Sequence, residues 1–326
     1  MQAFEYANPS SLKDALGMLS SNWGEVDVLA GGTDLISLMK EYLETPKRVV
    51  NIKGIKELQG ISKSGANLRI GAVATVEDLA SSPLVRAEYP SLTEAAFGIT
   101  SPQIRNMGTV GGDLTQRPRC WYFRRGFGLL GTKDGQELIP NGENRYHAIF
   151  PQGKAYFVNP SSFGPALIAL GAKVKVASAS GNREMSVEEL FVAPQDSSNR
   201  EISLKSNEII TEILVPAARG VRNSTYEVRH KDALDWPLVT ASVALKMKGN
   251  SIDSARIIMG HVGPTPVVAK EAEAMLAGKT LTEDLATQAG KAAVNDAKPL
   301  SDNGYKVQLA RVAVKRALMS AAKLKA

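Results

Sequence analysis

Val26-Asp27-Val28-Leu29-Ala30 is a short apolar run, and Gly31-Gly32-Thr33-Asp34 follows it at once, before a helical stretch from Leu35 to about Tyr42. Strand, glycine turn and helix in that order set an alternating pattern, and the neighbouring sequence continues it. Upstream, Ser10-Ser11-Leu12-Lys13-Asp14-Ala15-Leu16 reads as a capped helix with Leu12, Leu16 and Leu19 on one face. Downstream, Val49–Ile52 and Asn67–Ala72 read as strands, and Thr75-Val76-Glu77-Asp78-Leu79 opens another helix.

A second glycine pair has similar wording: Gly108-Thr109-Val110-Gly111-Gly112-Asp113-Leu114. In both segments, paired glycines let backbone N–H groups approach a ligand without interference from Cβ. Such a run of amides makes an anion-binding concavity, and phosphate is its natural guest. Neither segment is G-x-G-x-x-G or a Walker loop, so the usual nucleotide fingerprints are absent. A plainer reading makes each pair a simple turn, with Thr33 or Asp34 as a helix N-cap. Spacing alone leaves both readings open.

From Thr115 to Phe157 the periodicity stops, and aromatics, arginines and glycines mix in a long excursion. Loops of that length inside a domain usually have a function. Regularity returns with a helix around Phe163–Leu170 and a strand at Ala172–Val176. A boundary follows Val215-Pro216-Ala217. Beyond it, strands at Ser224–Arg229, Thr240–Met247 and Ser254–Val262 precede helices near Ala269–Leu276 and Val307–Leu324, an α+β pattern.

The 326 residues suffice for two domains, and 44% hydrophobic with 22% charged residues is an ordinary globular balance. Cys120 is the only cysteine, which excludes an intrachain disulfide and any cluster held by several thiolates of this chain. His147, His230 and His261 lie far apart and lack zinc-enzyme spacing. No G-x-S-x-G elbow is present. The net charge of +6 is modest and its lysines and arginines are spread out, which argues against nucleic-acid binding. The aromatic-basic cluster Arg117, Arg119, Trp121, Tyr122, Phe123, Arg124 and Arg125 is expected to pack the excursion against the body or a partner. The N-terminal Met1–Tyr6 has no signal-peptide pattern, and no apolar run reaches membrane length. A cytoplasmic protein without membrane insertion is expected, or one exported with a signal-bearing partner.

The strings Ala30-Gly31-Gly32-Thr33-Asp34-Leu35 with Met39-Lys40, and Ile104-Arg105-Asn106-Met107-Gly108-Thr109-Val110-Gly111-Gly112, resemble the FAD-binding subunit of molybdenum hydroxylases, the relatives of xanthine dehydrogenase and carbon monoxide dehydrogenase. The likeness continues through Asn159-Pro160-Ser161, Glu208–Ile213 and Lys231-Asp232-Ala233 to the chain's end. It implies an α+β fold. A two-part FAD-binding domain of the vanillyl-alcohol-oxidase-like type would span 1–217, with the excursion at 115–157, and a C-terminal flavoprotein domain would span 222–326. It also implies that Leu29, Ala30, Gly31, Gly32, Thr33, Asp34 and Leu35, with Thr109, Gly111, Gly112 and Asp113, bind FAD. Ile104 and Ile209 would lie near the flavin or its ribityl chain, Lys231 at the isoalloxazine edge, and Ser162 where relatives carry the carboxylate of His-Pro-Ser-Asp.

The excursion is similar to a branch of aldehyde oxidoreductases and hydroxybenzoyl-CoA reductases whose flavin subunit carries a four-cysteine [4Fe–4S] cluster. Leu114–Arg124 looks like the start of that cluster loop and Asn144–Ile149 like its end. Only Cys120 is present, and one thiolate cannot hold four irons, so the cluster is expected to be absent. Asp113 stands where the family often has Asn, and Ser162 where it has Asp. The implied function is electron transfer. A large subunit with the molybdenum cofactor would oxidise an aldehyde or heterocycle, a small subunit's [2Fe–2S] clusters would relay electrons, and FAD here would pass them to an external acceptor. No residue of this chain need be a general acid or base. The alternatives are a stand-alone FAD oxidoreductase, a scaffold subunit that has lost flavin, or an RNA-binding module.

Overall fold

The computed structural model describes residues 1–196 and 198–324. The last two residues of the expected 222–326 domain lie outside this range. Three parallel strands form the first sheet, in the order β1 (Glu5–Ala7), β3 (Arg48–Asn51), β2 (Val26–Leu29). The helix Leu12–Gly17 is capped by Ser11, whose side chain accepts from the Asp14 N–H at 3.1 Å. Leu12, Leu16 and Leu19 pack with Val26 and Val28 around buried Ala15, Val50 and Ile55, as their helical spacing requires. The helix after the first glycine pair runs Leu35–Lys40, ending two residues short of the expected Tyr42. Tyr42 itself has φ 58°, which an α-helix cannot contain.

The second sheet is antiparallel. β4 (Ile61–Ser64) and β5 (Asn67–Gly71) form a hairpin, and the excursion contains a two-residue hairpin of β6 (Thr132–Lys133) and β7 (Gln136–Glu137). β8 (Lys173–Ser178), β9 (Gly181–Ser186) and β10 (Ile209–Val215) then complete a five-stranded order β4-β5-β10-β8-β9. β10 enters the middle of the sheet and buries Ile210, Ile213 and Val215. The largest apolar core lies here, where the helices Val76–Ser81, Pro90–Gly98 and Phe163–Ala169 cover the sheet. Truncating one of its buried leucines, such as Leu92, would cost about 2–5 kcal/mol.

The third sheet has the order β11 (Val221–Val228), β12 (Val239–Lys248), β13 (Ser251–Gly260), β14 (Val267–Val268). β12 is buried continuously from Val239 to Leu245 because both of its faces are covered. Val239, Ala241, Val243 and Leu245 meet the helices Glu283–Ala292 and Tyr305–Ala322. On the other face, small Ala244 joins the core shared with Phe163–Ala169. The excursion has its own small core of Cys120, Phe123, Leu129, Leu130, Ile139, Ala155 and Phe157, with Leu38 from the first lobe. Its return stretch is fastened to the C-terminal part: Asn303 Nδ2 donates to the carbonyls of His147 and Ala148, and fully buried Lys306 donates to those of His147 and His261. No helix among the described residues is long and apolar enough to cross a membrane.

Candidate functional site

β2 runs straight into the first glycine pair, which forms one wall of a cavity of about 400 Å³. Gly32 has φ +73°, a left-handed conformation that costs glycine nothing. Gly31 answers a different need, because a Cβ there would overlap the carbonyl of Met107 and crowd Gly108. The two glycine segments therefore touch backbone to backbone, and only glycine permits it. Thr33 to Leu35 continue the wall.

The second pair departs from the expected turn. Gly111 and Gly112 lie inside a helix, Val110–Thr115, whose N-cap Thr109 accepts from the Gly112 N–H at 3.1 Å. Val110 and Leu114, four apart, bury one face of that helix and hold it despite its glycines. Gly111 and Gly112 still line the cavity, together with Thr109.

Asp34 stands at the N-cap position of the helix Leu35–Lys40. Its side chain makes no cap bond; it accepts instead from the Arg117 N–H at 2.7 Å, from Arg124 Nη2 at 2.9 Å, and from Arg119. The excursion's basic cluster thus closes onto the body of this chain, as its composition suggested. Arg117 pairs with Glu44 and with Glu201, which is 1% exposed. Arg119 stacks over Trp236 with its guanidinium carbon 4.5 Å from the ring centre, and Arg200 stacks over Trp23 at 4.2 Å. Such stacking suits a planar, weakly hydrated cation.

Asp113 lines the cavity, yet its carboxylate is committed elsewhere. It accepts from the N–H groups of Ser162 (3.1 Å) and Phe163 (3.0 Å), from Gln116 Nε2 (2.9 Å) and from the Ser161 hydroxyl. Full burial outweighs these bonds and raises its pKa above the ordinary carboxylate value. The acid at position 113 therefore ties the second glycine segment to the start of the helix Phe163–Ala169 and brings Ser162 to the cavity wall.

Ile104 and Ile209 also line the cavity. Leu29 and Lys231 stand outside its lining; the Lys231 N–H donates to Asp235 Oδ2 at 3.0 Å within the loop before Trp236. In that loop Leu234 has φ +53°, is 76% exposed, and donates its N–H to Thr100 Oγ1 at 2.7 Å. Sequence reasoning missed four lining residues: Arg200 and Trp236 come from distant segments, and Trp23, just before β2, and Asp27, on it, carry no motif that marks them. Cys120 Sγ lies 3.1 Å from His147 Nε2. Burial pushes the thiol up to about 11 and the imidazole down to about 4. Among the described residues no three His, Cys, Asp or Glu side chains gather where they could hold a metal ion.

Residues 2–218 match the family model for the FAD binding domain in molybdopterin dehydrogenase, and residues 224–321 match that for the CO dehydrogenase flavoprotein C-terminal domain. The chain is 29% identical to the carbon monoxide dehydrogenase medium chain of Hydrogenophaga pseudoflava, covering 98% of this chain and 96% of that one. It is 27% identical to the aldehyde oxidoreductase FAD-binding subunit PaoB of Escherichia coli, covering 95% and 96%. The solved carbon monoxide dehydrogenase from Hydrogenophaga pseudoflava has a chain of the same fold, with TM-score 0.76, 30% identity and coverage of 98% and 97%.

Proposed function

This chain belongs to the family of FAD-binding domains of molybdopterin dehydrogenases, and from that membership we propose how its cavity works. It is a flavoprotein oxidoreductase subunit of the molybdenum-hydroxylase type, corresponding to the medium chain of its relatives. We take FAD to lie in the cavity with its pyrophosphate against the contact between the two glycine segments. The observation that carries this is the contact at Gly31, where a methyl group would overlap the Met107 carbonyl, so that only glycine lets the first segment meet the second, with Thr109, Gly111 and Gly112 lining the same cavity. Phosphate needs a bed of backbone N–H groups.

Within this reading Leu29 supports the turn from β2, Ala30 to Leu35 form the bed, and Thr109, Gly111 and Gly112 shape the facing wall, the two glycine N–H groups being bonded already to Ala72 and Thr109. Asp113 holds Ser162 in place through the backbone. Ile104 and Ile209 supply apolar surface for the ring systems. Lys231 acts on the flavin edge only through movement of its loop. The bound flavin supplies the two-electron store, and the protein supplies position and field.

The domains would divide at 217–222. The partners would be a large subunit with the molybdenum cofactor and a small subunit with [2Fe–2S] clusters, and the substrate an aldehyde or heterocycle. The acceptor is external to the chain, and the complex works in the cytoplasm unless a partner carries an export signal. The test is cofactor analysis of this subunit separated from its co-expressed complex, by visible spectrum, chromatography of released flavin and iron assay. FAD at about one per chain without iron is the expected result. A folded complex with no flavin on this subunit overturns the reading.

A further inference from the structure

Behind the cavity wall lies a carboxylate with no role in the account so far. The side chain of Glu227, on β11, is 6% exposed. Among the described residues, neither of its oxygens has a hydrogen-bond partner. The carboxylate lies against Gly98, where a Cβ would overlap both of its oxygens. Gly98 in turn lines the cavity, together with Ile99, Thr100, Ser101 and Ile104. Only the backbone of one glycine separates Glu227 from the cavity.

The groups around Glu227 leave it unpaired. Arg229, two residues along β11, approaches only to 3.8 Å and donates to the Gly98 carbonyl. Glu94, on the helix Pro90–Gly98, turns to the Thr225 N–H and the Ser224 hydroxyl. Asp113, on the helix Val110–Thr115, is a second buried carboxylate of the same cavity and repels charge on Glu227. Thr240 stands opposite Glu227 on β12, with its hydroxyl 3.0 Å from His261 Nδ1. Burial and Lys306 push His261 down to about 3, so it stays neutral. Burial pushes Glu227 itself up to about 7, so near neutral pH a modest change of field decides whether it holds a proton.

Electrons entering the cavity make such a change. Two electrons reach a flavin with at most two protons, so the ring gains negative charge unless both protons follow. A unit charge within about 10 Å, at an effective dielectric near 20, changes a proton affinity by about tenfold or more.

We propose that Glu227 is a redox-linked proton site: when flavin in this cavity takes up two electrons, the Glu227 carboxylate takes one proton from solvent and becomes a carboxylic acid. This rests on the flavoprotein reading above, with the flavin ring beside Ile104. The electrons come from the reductant; when they leave to the acceptor, the acid returns its proton to solvent.

The test is the midpoint potential of the full chain with FAD bound, titrated with dithionite and mediator dyes at a series of pH values. Glu227→Gln is neutral at every pH, so its potential should coincide with that of the wild type at about pH 6. Between about pH 7 and pH 8 the wild-type potential should fall more steeply, by about 30 mV per pH unit, the value for one proton per two electrons. Coincident potentials throughout, or an offset that is the same at every pH, overturn the proposal. An infrared difference spectrum of the wild type, reduced minus oxidised at pH 8, carries the test if the variant fails to fold. The carbonyl band of a carboxylic acid should appear on reduction and persist in Asp113→Asn. Its absence, or its loss in Asp113→Asn, overturns the assignment to Glu227 and leaves the flavoprotein reading standing. A wild-type chain that binds no FAD overturns both.

Discussion

The two walls of the cavity are built by opposite means. On one side, backbone meets backbone: Gly31 lies against Met107 and Gly108, and what matters is the absence of side chains. On the other, the excursion reaches in with long cations, and Arg117 and Arg119 are neutralised by Asp34, Glu44 and Glu201 from other parts of the chain. In the proposed function the first wall is a surface for a ligand. The second is a clasp for the protein itself, and its partners are 83 and 85 residues apart along the chain for Asp34 alone. The contrast separates two quantities, stability and flavin retention, that a single assay would confuse.

The largest effect should come from breaking the clasp. Arg117→Met leaves Glu44 and nearly inaccessible Glu201 without their shared cation. Orphaning buried charge in this way costs about 3–5 kcal/mol. Chemical denaturation should show that loss, while the variant kept below its melting temperature still copurifies with FAD. Undiminished stability would mean that the excursion is clasped by something other than these pairs.

Gly31→Ala attacks the other wall. The new methyl overlaps the Met107 carbonyl, so the two glycine segments must part, at a cost of about 3 kcal/mol. Here flavin content should fall first and furthest, read as absorbance at the flavin band per chain. A variant that loses stability but keeps its flavin would remove the pyrophosphate from this contact.

Much of the first wall was legible because its signals are local. An apolar strand, a glycine pair and an amphipathic helix read in order, and β2 with Leu35–Lys40 took those places. The second glycine pair misled, since two glycines argue against a helix by about 1 kcal/mol each. The Thr109 cap and buried Val110 and Leu114 outweighed them. β10 was missed as a strand because its place between β5 and β8 is decided by partners more than 30 residues away on one side and more than 130 on the other. For the clasp, composition gave only a cluster of arginines and aromatics; no local pattern names the carboxylates that answer them.

Glu227 shows what happens to a carboxylate that the clasp does not serve. It is buried on β11 against Gly98, a cavity-lining residue, and its nearest guanidinium, Arg229, is 3.8 Å away and also donates to the Gly98 carbonyl. Burial pushes its pKa from 4.5 to about 7. Between those values the folded chain keeps a proton that the unfolded chain has released. Stability therefore falls as pH rises from about 4.5 to about 7 and changes no further above that, by about 3 kcal/mol in all. Glu227→Gln stays neutral throughout and removes this slope. Denaturation at pH 5 and pH 8 should show the variant gaining on wild type only at the higher pH; an equal difference at both would contradict the shift.

Asp113→Asn makes the smallest change and the sharpest comparison, because Asp113 sits on the glycine wall but behaves like a member of the clasp. Its two oxygens accept from two backbone N–H groups, one amide and one hydroxyl. An asparagine has one acceptor oxygen, so its NH₂ must face donors on the other side. Stability should fall by about 1–3 kcal/mol, with part of that returned because a fully buried charge has been removed. All four donors belong to the protein and none to a ligand. FAD affinity should therefore move by less than about threefold, under 1 kcal/mol. A larger loss of flavin with stability unchanged would mean that Asp113 faces the cofactor, and that the family's asparagine at this position and the aspartate here do different work.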